Sequence, residues 1–278
     1  MSPPRPDNPS RIFLLPNLMT AGNLIFGFLA VLKIFEGTLQ YQSGNAMWAQ
    51  TYETSLKCIL GACLCDLLDG RLARFGGSES PFGREFDSLA DIVSFGVAPA
   101  LLVFKIVLVD IPNRIGWLIA VFYLLCGALR LARFNVASTY KLGTGSRNFS
   151  GFPIPAAAGM VASLTLFLLW LEQKDFPLSK MRYVLPVLLV FLSLMMVSEV
   201  KYPSFKTLDF RAKRSFAKML GIVLCVGFFI ILREKVLPVL APLIFTTYLL
   251  YGFVRPYISR AWRHEIEEED EDESEAAK

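Results

Sequence analysis

Histidine is almost absent. The 278-residue chain has one, His264, in the charged C-terminal stretch. Whatever chemistry the apolar part of the chain carries, its general base is not an imidazole. Cysteine is scarce too: Cys58, Cys63, Cys65, Cys126 and Cys225 are odd in number, lie in apolar runs and form no CxxC pair. They read as small packing residues rather than zinc ligands or a disulfide framework. Charge is thin as well. Charged residues make up 19% of the chain and hydrophobic ones 54%, with a mean hydropathy of +0.48, whereas a soluble domain carries about 25% and about 45–50%. This balance excludes a disordered chain, a collagen-like chain and a small disulfide scaffold, and points to a membrane. The start, Met1–Arg11, is polar and Pro-rich and does not read as a secretory signal peptide.

The formal net charge of +4 is a cancellation. Nine acids lie between Glu265 and Glu275; without residues 265–278 there remain 27 bases against 15 acids. A basic, apolar body therefore carries an acidic tail, which reads as a solvated, disordered run.

A spanning helix needs about 20 mostly apolar residues. Eight candidates fit: 17–36, 48–72, 85–109, 114–135, 153–172, 182–200, 215–232 and 236–254. Pro16, Gly76-Gly77, Pro112 and Pro177 punctuate several of them. With the N-terminus placed in the cytoplasm, 19 of the 28 Lys and Arg residues fall in cytoplasmic connections. That bias predicts an N-in, C-in arrangement with an even number of spans. The expected fold is all-α, a polytopic membrane helix bundle of about eight transmembrane helices. Residues 1–16 form a polar, interfacial N-terminal segment, and 255–278 the charged tail.

The informative anomaly is a set of carboxylates at membrane depth, where ionisable groups are costly and mark function. Asp66 and Asp69 stand at i, i+3 near the end of the second span; Asp87 and Asp91 stand at i, i+4 at the start of the third. Each pair shares a helix face. A short Gly- and Ser-rich connection, about 75–82, makes the two helices antiparallel neighbours, so the pairs can face each other. Four carboxylates in low dielectric do not all stay ionised without cations. Mg²⁺ or Mn²⁺, plausibly two ions, suits an all-oxygen cluster that also accepts phosphate oxygens. Gly70 and Ala73 are small enough to let a ligand approach the helix, and Arg74 offers a fork for phosphate. The alternative is structural, with Asp66 or Asp69 in an interhelical salt bridge to Arg130. Arg71, Arg84 and Glu85 read as surface or snorkelling residues.

The run Asp66-x2-Asp69-Gly70-x2-Ala73-Arg74-x8-Gly83-x3-Asp87-x3-Asp91 resembles, at all eight fixed positions, the signature of the CDP-alcohol phosphatidyltransferase family. Eight fixed residues over 26 positions are far more specific than a lone Gly-rich loop. Flanking runs resemble the serine-using bacterial and archaeal branch, the phosphatidylserine synthases. They are Pro16–Asn23, Ser94–Ala100, Ala128–Asn135, Phe149–Ala157 and Val200–Lys206. The resemblance covers about 12–210, giving a transferase membrane domain at 17–210 and two additional helices at 211–254 that carry no motif.

The resemblance implies roles at matching positions. Asp66, Asp69 and Asp87 would be the main metal ligands. Asp91 would help to hold a second ion and act as general base. Gly70, Ala73 and Arg74, together with Asp66, would hold the CDP part of CDP-diacylglycerol, which Asn17 and Thr20 would also reach. It further implies L-serine as acceptor, Mg²⁺ or Mn²⁺ as cofactor, a homodimer, and an inner (cell) membrane location with the site near the cytoplasmic face. Nothing suggests nucleic acid as a partner.

A serine pocket must neutralise a carboxylate. Arg130 and Arg133, at i, i+3 in the fourth span, suit that task, or a phosphate, or charge balance for the aspartates. Residues 141–151, Pro153 and Pro155 would shape the acceptor side, though a plain loop and helix start accounts for the prolines equally. Within the family, glycerol 3-phosphate, inositol phosphate or choline are alternative acceptors. From a different class, the aspartates would line the path of a cation carrier or channel.

Overall fold

The computed structural model describes residues 14–75, 81–112, 114–139, 149–172, 174, 181–198, 200–202 and 237–254. Among these residues the fold is helical. The helices are α1 (Leu14–Gln42), α2 (Trp48–Phe75), α3 (Pro81–Asp91), α4 (Ala98–Ile106), α5 (Ile115–Thr139), α6 (Ile154–Glu172), α7 (Val184–Val197) and α8 (Leu237–Val254). A π-helical segment, Ile92–Val97, joins α3 to α4. Two short strands, β1 (Phe149–Ser150) and β2 (Lys201–Tyr202), pair antiparallel, Phe149 opposite Tyr202 and Ser150 opposite Lys201.

Among the described residues four helices are long and apolar enough to cross a membrane: Asn17–Gln42, Phe82–Ile106, Ile115–Val136 and Ile154–Glu172. At 28 residues α2 would extend about 42 Å at about 1.5 Å per residue. Glu53, Lys57, Asp66, Asp69, Arg71 and Arg74 make it too polar to count by composition. Val184–Val197 and Leu237–Tyr251 are apolar but shorter. The span expected at 215–232, the tail at 255–278 and an interfacial helix ahead of residue 14 lie outside the described residues.

The α1–α2 hairpin is the platform of the site. The buried stripe of α1 is Thr20, Asn23, Gly27, Ala30, Ile34 and Gly37, spaced alternately three and four apart. That is the spacing of a helix packed lengthwise on a partner. Leu18, Ile25, Phe28, Leu32 and Leu39 point away and are exposed, as a lipid-facing surface would be. The stripe is polar at its N-terminal end and small or apolar beyond Gly27. On α2 it meets Tyr52, Ser55, Leu56, Ile59, Ala62 and Asp69, all buried. Polar pairs close the far end: the Thr38 and Tyr52 hydroxyls lie 3.0 Å apart, and Thr51 donates to Gln40 Oε1 at 2.7 Å. The first helix begins three residues before the expected 17, with Pro16 in its first turn, where a missing N–H costs nothing.

The third span is not one α-helix. At Ile92–Val97 it widens into π geometry, with the Ala98 N–H donating to the Val93 carbonyl. Pro99 explains part of this. It has no N–H to give to the Phe95 carbonyl four residues back. The hydroxyl of Tyr123, itself fully buried, donates to that carbonyl at 3.2 Å. The segment also presses on α1: a Cβ on Gly27 would lie 2.6 Å from Ser94 Cα.

Helix α6 forms much of the core, with Ile154, Ala157, Ala158, Val161 and Ala162 fully buried. Its start is tied to the end of α7. The Gly151 N–H donates to the Val200 carbonyl and the Phe152 N–H to the Met195 carbonyl, each at 3.0 Å. Gly151 sits at φ +86°, where only glycine is unstrained, and a Cβ there would run into the Met196 carbonyl. Against the other side of α6 lies α8, whose Phe245 ring fills the space left open by Gly159.

Candidate active site

Three helices, α1, α2 and α3, converge at the cluster of carboxylates. Asp66 and Asp69 project from α2, one turn apart; Asp87 projects from α3. One oxygen from each lies within 4.8 Å of the others. Asp69 is buried, whereas Asp66 and Asp87 are half-buried, so the trio faces an accessible side. Asp91 stands one turn farther along α3, buried, next to the π segment and outside that trio. It remains within electrostatic reach of Asp66, Asp69 and Asp87.

The polar end of the α1 stripe supplies the hydrogen-bond donors. Thr20 Oγ1 donates to Asp69 Oδ2 at 3.1 Å. Asn23 Nδ2 donates to Asp91 Oδ1 at 3.0 Å, and Ser94 Oγ donates to the Asn23 carbonyl at 2.9 Å. Asn23 is fully buried. It therefore couples Asp91, by its side chain, and the π segment, by its backbone, to α1. Neither Asn23 nor Ser94 received a role from the sequence, although Asn17, Thr20 and Asn23 at i, i+3, i+6 were a legible sign of one polar face. Asn17 continues that face, and its Nδ2 is buried without a hydrogen-bond partner among the described residues. Such a donor is an uncommon thing to leave empty.

Gly70, Ala73 and Arg74 fall in the last two turns of α2, just beyond the two aspartates. Their side chains, and the connection at 76–80, lie outside the described residues.

The two arginines of α5 are not equivalent. Arg130 is half-buried, and its Nε has no hydrogen-bond partner among the described residues. It lies within electrostatic reach of Asp66 and Asp91. No ion pair joins it to Asp66 among the described residues, so the structural salt-bridge alternative is not realised at that pair. Arg133 is exposed, and its Nη1 donates to the Val197 carbonyl at 3.4 Å, at the end of α7.

The donor set of the trio fits a hard divalent cation. Every candidate ligand is a carboxylate oxygen, with no imidazole or thiolate among them. One oxygen from each carboxylate already lies within 4.8 Å of the others, close enough for the three to hold one ion together.

The family model for CDP-alcohol phosphatidyltransferase matches residues 13–203, well over half of the chain. The chain belongs to that family. The match takes in α1 to α7 and both strands, and leaves α8 outside. A CDP-diacylglycerol–serine O-phosphatidyltransferase from Helicobacter pylori is 34% identical over 251 residues, 90% of this chain and 93% of the relative. One from Bacillus subtilis is 34% identical over 196 residues, 69% of this chain and 91% of the relative. An archaetidylserine synthase from Methanothermobacter thermautotrophicus is 36% identical over 193 residues, 68% of this chain and 69% of the relative. The family is generally dependent on divalent metal, and the Asp66, Asp69 and Asp87 cluster is a place where one can bind.

Proposed function

We propose that this protein transfers the phosphatidyl group of CDP-diacylglycerol to the hydroxyl of L-serine and releases CMP. The observation that carries the reading is the convergence of Asp66, Asp69 and Asp87 beside Asp91, on a family-matched membrane bundle. The names of the relatives from H. pylori and B. subtilis supply the acceptor.

In this mechanism Asp66, Asp69 and Asp87 would hold Mg²⁺ or Mn²⁺, and Asp91 would assist at a second ion. When bound, the metal supplies positive charge to the diphosphate and to the CMP phosphate as it departs. Gly70, Ala73 and Arg74 seat the CDP moiety at the end of α2, and the Asn17 Nδ2, buried without a hydrogen-bond partner among the described residues, donates to the same ligand. The serine oxygen attacks the lipid-bearing phosphorus, the bond from that phosphorus to the CMP oxygen breaks, and the serine proton passes to Asp91. No histidine competes for that role, because His264 lies far along the chain from the membrane helices of the site. Asn23 fixes the Asp91 carboxylate so that its other oxygen is free to take the proton. Arg130, whose Nε has no hydrogen-bond partner among the described residues, holds the serine carboxylate; Arg133 braces the end of α7.

The remaining organisation belongs to the same proposal. The family domain runs over 17–210, followed by two further helices at 211–254 and a charged tail at 255–278. The chain crosses an inner membrane about eight times, N-in and C-in, and works as a homodimer. Lys and Arg crowd the connections on the side where α2 and α3 meet, a bias that supports a site at the cytoplasmic face. There CDP and serine arrive from water while the acyl chains stay in lipid.

The test is an assay of CDP-diacylglycerol with serine, glycerol 3-phosphate, inositol phosphate and choline in parallel, with products identified by mass spectrometry. Phosphatidylserine is expected from serine alone, and Asp91→Asn is expected to abolish CMP release in a protein that purifies normally. A different product, with serine inert, overturns the acceptor. Near-normal CMP release by Asp91→Asn overturns the base.

A further inference from the structure

Helix α8 lies outside the family match, yet it reaches the neighbourhood assigned to the acceptor. It is docked on α6 through Phe245 against Gly159, and through Thr246 Oγ1 donating to Met160 Sδ at 3.6 Å. One helical turn of α8 beyond Ala241 and Phe245 brings Tyr248 over Phe152, with ring centroids 5.7 Å apart and planes tilted by 38°. Phe152 is fully buried and pinned by its backbone to Met195, at the end of α7 that Arg133 also contacts. Its position is thus fixed by α7 rather than by α8, and it acts as a rigid seat for the tyrosine ring.

We propose that Tyr248 is a specificity-determining residue of the acceptor pocket, its phenol working with Arg130 to hold the zwitterionic head of an amino-acid acceptor. Two chemical facts support this. Arg130 has a buried Nε without a hydrogen-bond partner among the described residues, and a guanidinium can take a carboxylate at two points. A phenol both donates and accepts, so it serves either the carboxylate or the ammonium of the acceptor, and its ring tolerates an apolar wall. Arg130 and Tyr248 lie within electrostatic reach of each other. The contribution of Tyr248 is to acceptor affinity, laid over a chemistry that the α1–α7 bundle supports.

This inference rests on the serine reading. The experiment compares wild type with Tyr248→Phe, Tyr248→Ala and Phe245→Ala in the full chain, in detergent with CDP-diacylglycerol and Mg²⁺. It records kcat, KM for serine, KM for CDP-diacylglycerol and the thermal midpoint. Tyr248→Phe is expected to raise KM for serine about tenfold, the size of one lost hydrogen bond to a charged group. Its KM for CDP-diacylglycerol, kcat and midpoint are expected to stay at wild-type values. Phe245→Ala, which loosens the docking of α8 and keeps the phenol, is expected to lower the midpoint more than Tyr248→Phe does. Unchanged KM for serine in both Tyr248 variants overturns the proposal, as does a rise in Phe245→Ala that Tyr248→Phe does not share. If wild type forms no phosphatidylserine at all, the serine reading itself falls and takes this inference with it.

Discussion

Removing the Asn23 side chain tests whether Asp91 is a held carboxylate or merely a buried one. In Asn23→Ala the Nδ2 donor 3.0 Å from Asp91 Oδ1 is lost. So is the Asn23 Oδ1, which is buried without a partner among the described residues. The backbone carbonyl that accepts from Ser94 stays, so the contact between α1 and the π segment is kept. A hydrogen bond to an ionised group contributes about 1.5–3 kcal/mol. If that interaction is needed to hold Asp91 at the transition state, kcat falls by roughly 10- to 150-fold, since about 1.36 kcal/mol is tenfold in rate. The assay is CMP release at saturating serine and CDP-diacylglycerol in mixed micelles, alongside a thermal midpoint. Asn23→Asp should be worse, because it replaces the donor by a further carboxylate facing Asp91. The informative control is Ser94→Ala, which breaks the bond to the Asn23 backbone and leaves the Asp91 bond alone. It should cost about 0.5–1.5 kcal/mol of stability and little rate. A kcat for folded Asn23→Ala within threefold of wild type would refute the reasoning, because Asp91 would then need no fixing by α1.

Two further outcomes follow from how the π segment is held. Gly27→Ala adds a Cβ 2.6 Å from Ser94 Cα and 2.7 Å from Ser94 Cβ, so α1 and the segment must part. The expected cost is about 1–3 kcal/mol, read as a lowered thermal midpoint, and an unchanged midpoint would mean the helices are not so close. Tyr123→Phe removes the proton that the Phe95 carbonyl receives at 3.2 Å, stranding a buried acceptor that Pro99 cannot serve. A loss of about 1–3 kcal/mol is expected in chemical or thermal unfolding, whereas a neutral result would show that water or a backbone shift satisfies that carbonyl.

What could be read from the residues and what could not divide along sequence separation. Asp66 with Asp69, and Asp87 with Asp91, were legible because i, i+3 and i, i+4 spacing fixes a shared face within one helix. The short connection near 75–82 then made the two faces meet, and the trio Asp66, Asp69 and Asp87 does meet. Local periodicity carried no information about which of the four would stand apart. Asp91 does so because its partner Asn23 is 68 positions away and because the helix widens immediately after it. The widening was itself illegible. Ser94-Phe95-Gly96 has no unusual composition for a buried helix, and the hydroxyl that takes up the Phe95 carbonyl comes from Tyr123 on another helix. The same limit applies to Arg130 and Arg133. Their i, i+3 spacing gave them one face and suggested one task. However, α7 ends beside Arg133, whose Nη1 donates to the Val197 carbonyl, while Arg130 stays within electrostatic reach of the carboxylates. Spacing within a helix decides which side chains can act together. Contacts between helices decide which of them are engaged in holding the bundle and which are left over for a ligand; among the described residues the Asn17 Nδ2 and the Arg130 Nε are two buried donors that no contact within the bundle takes up.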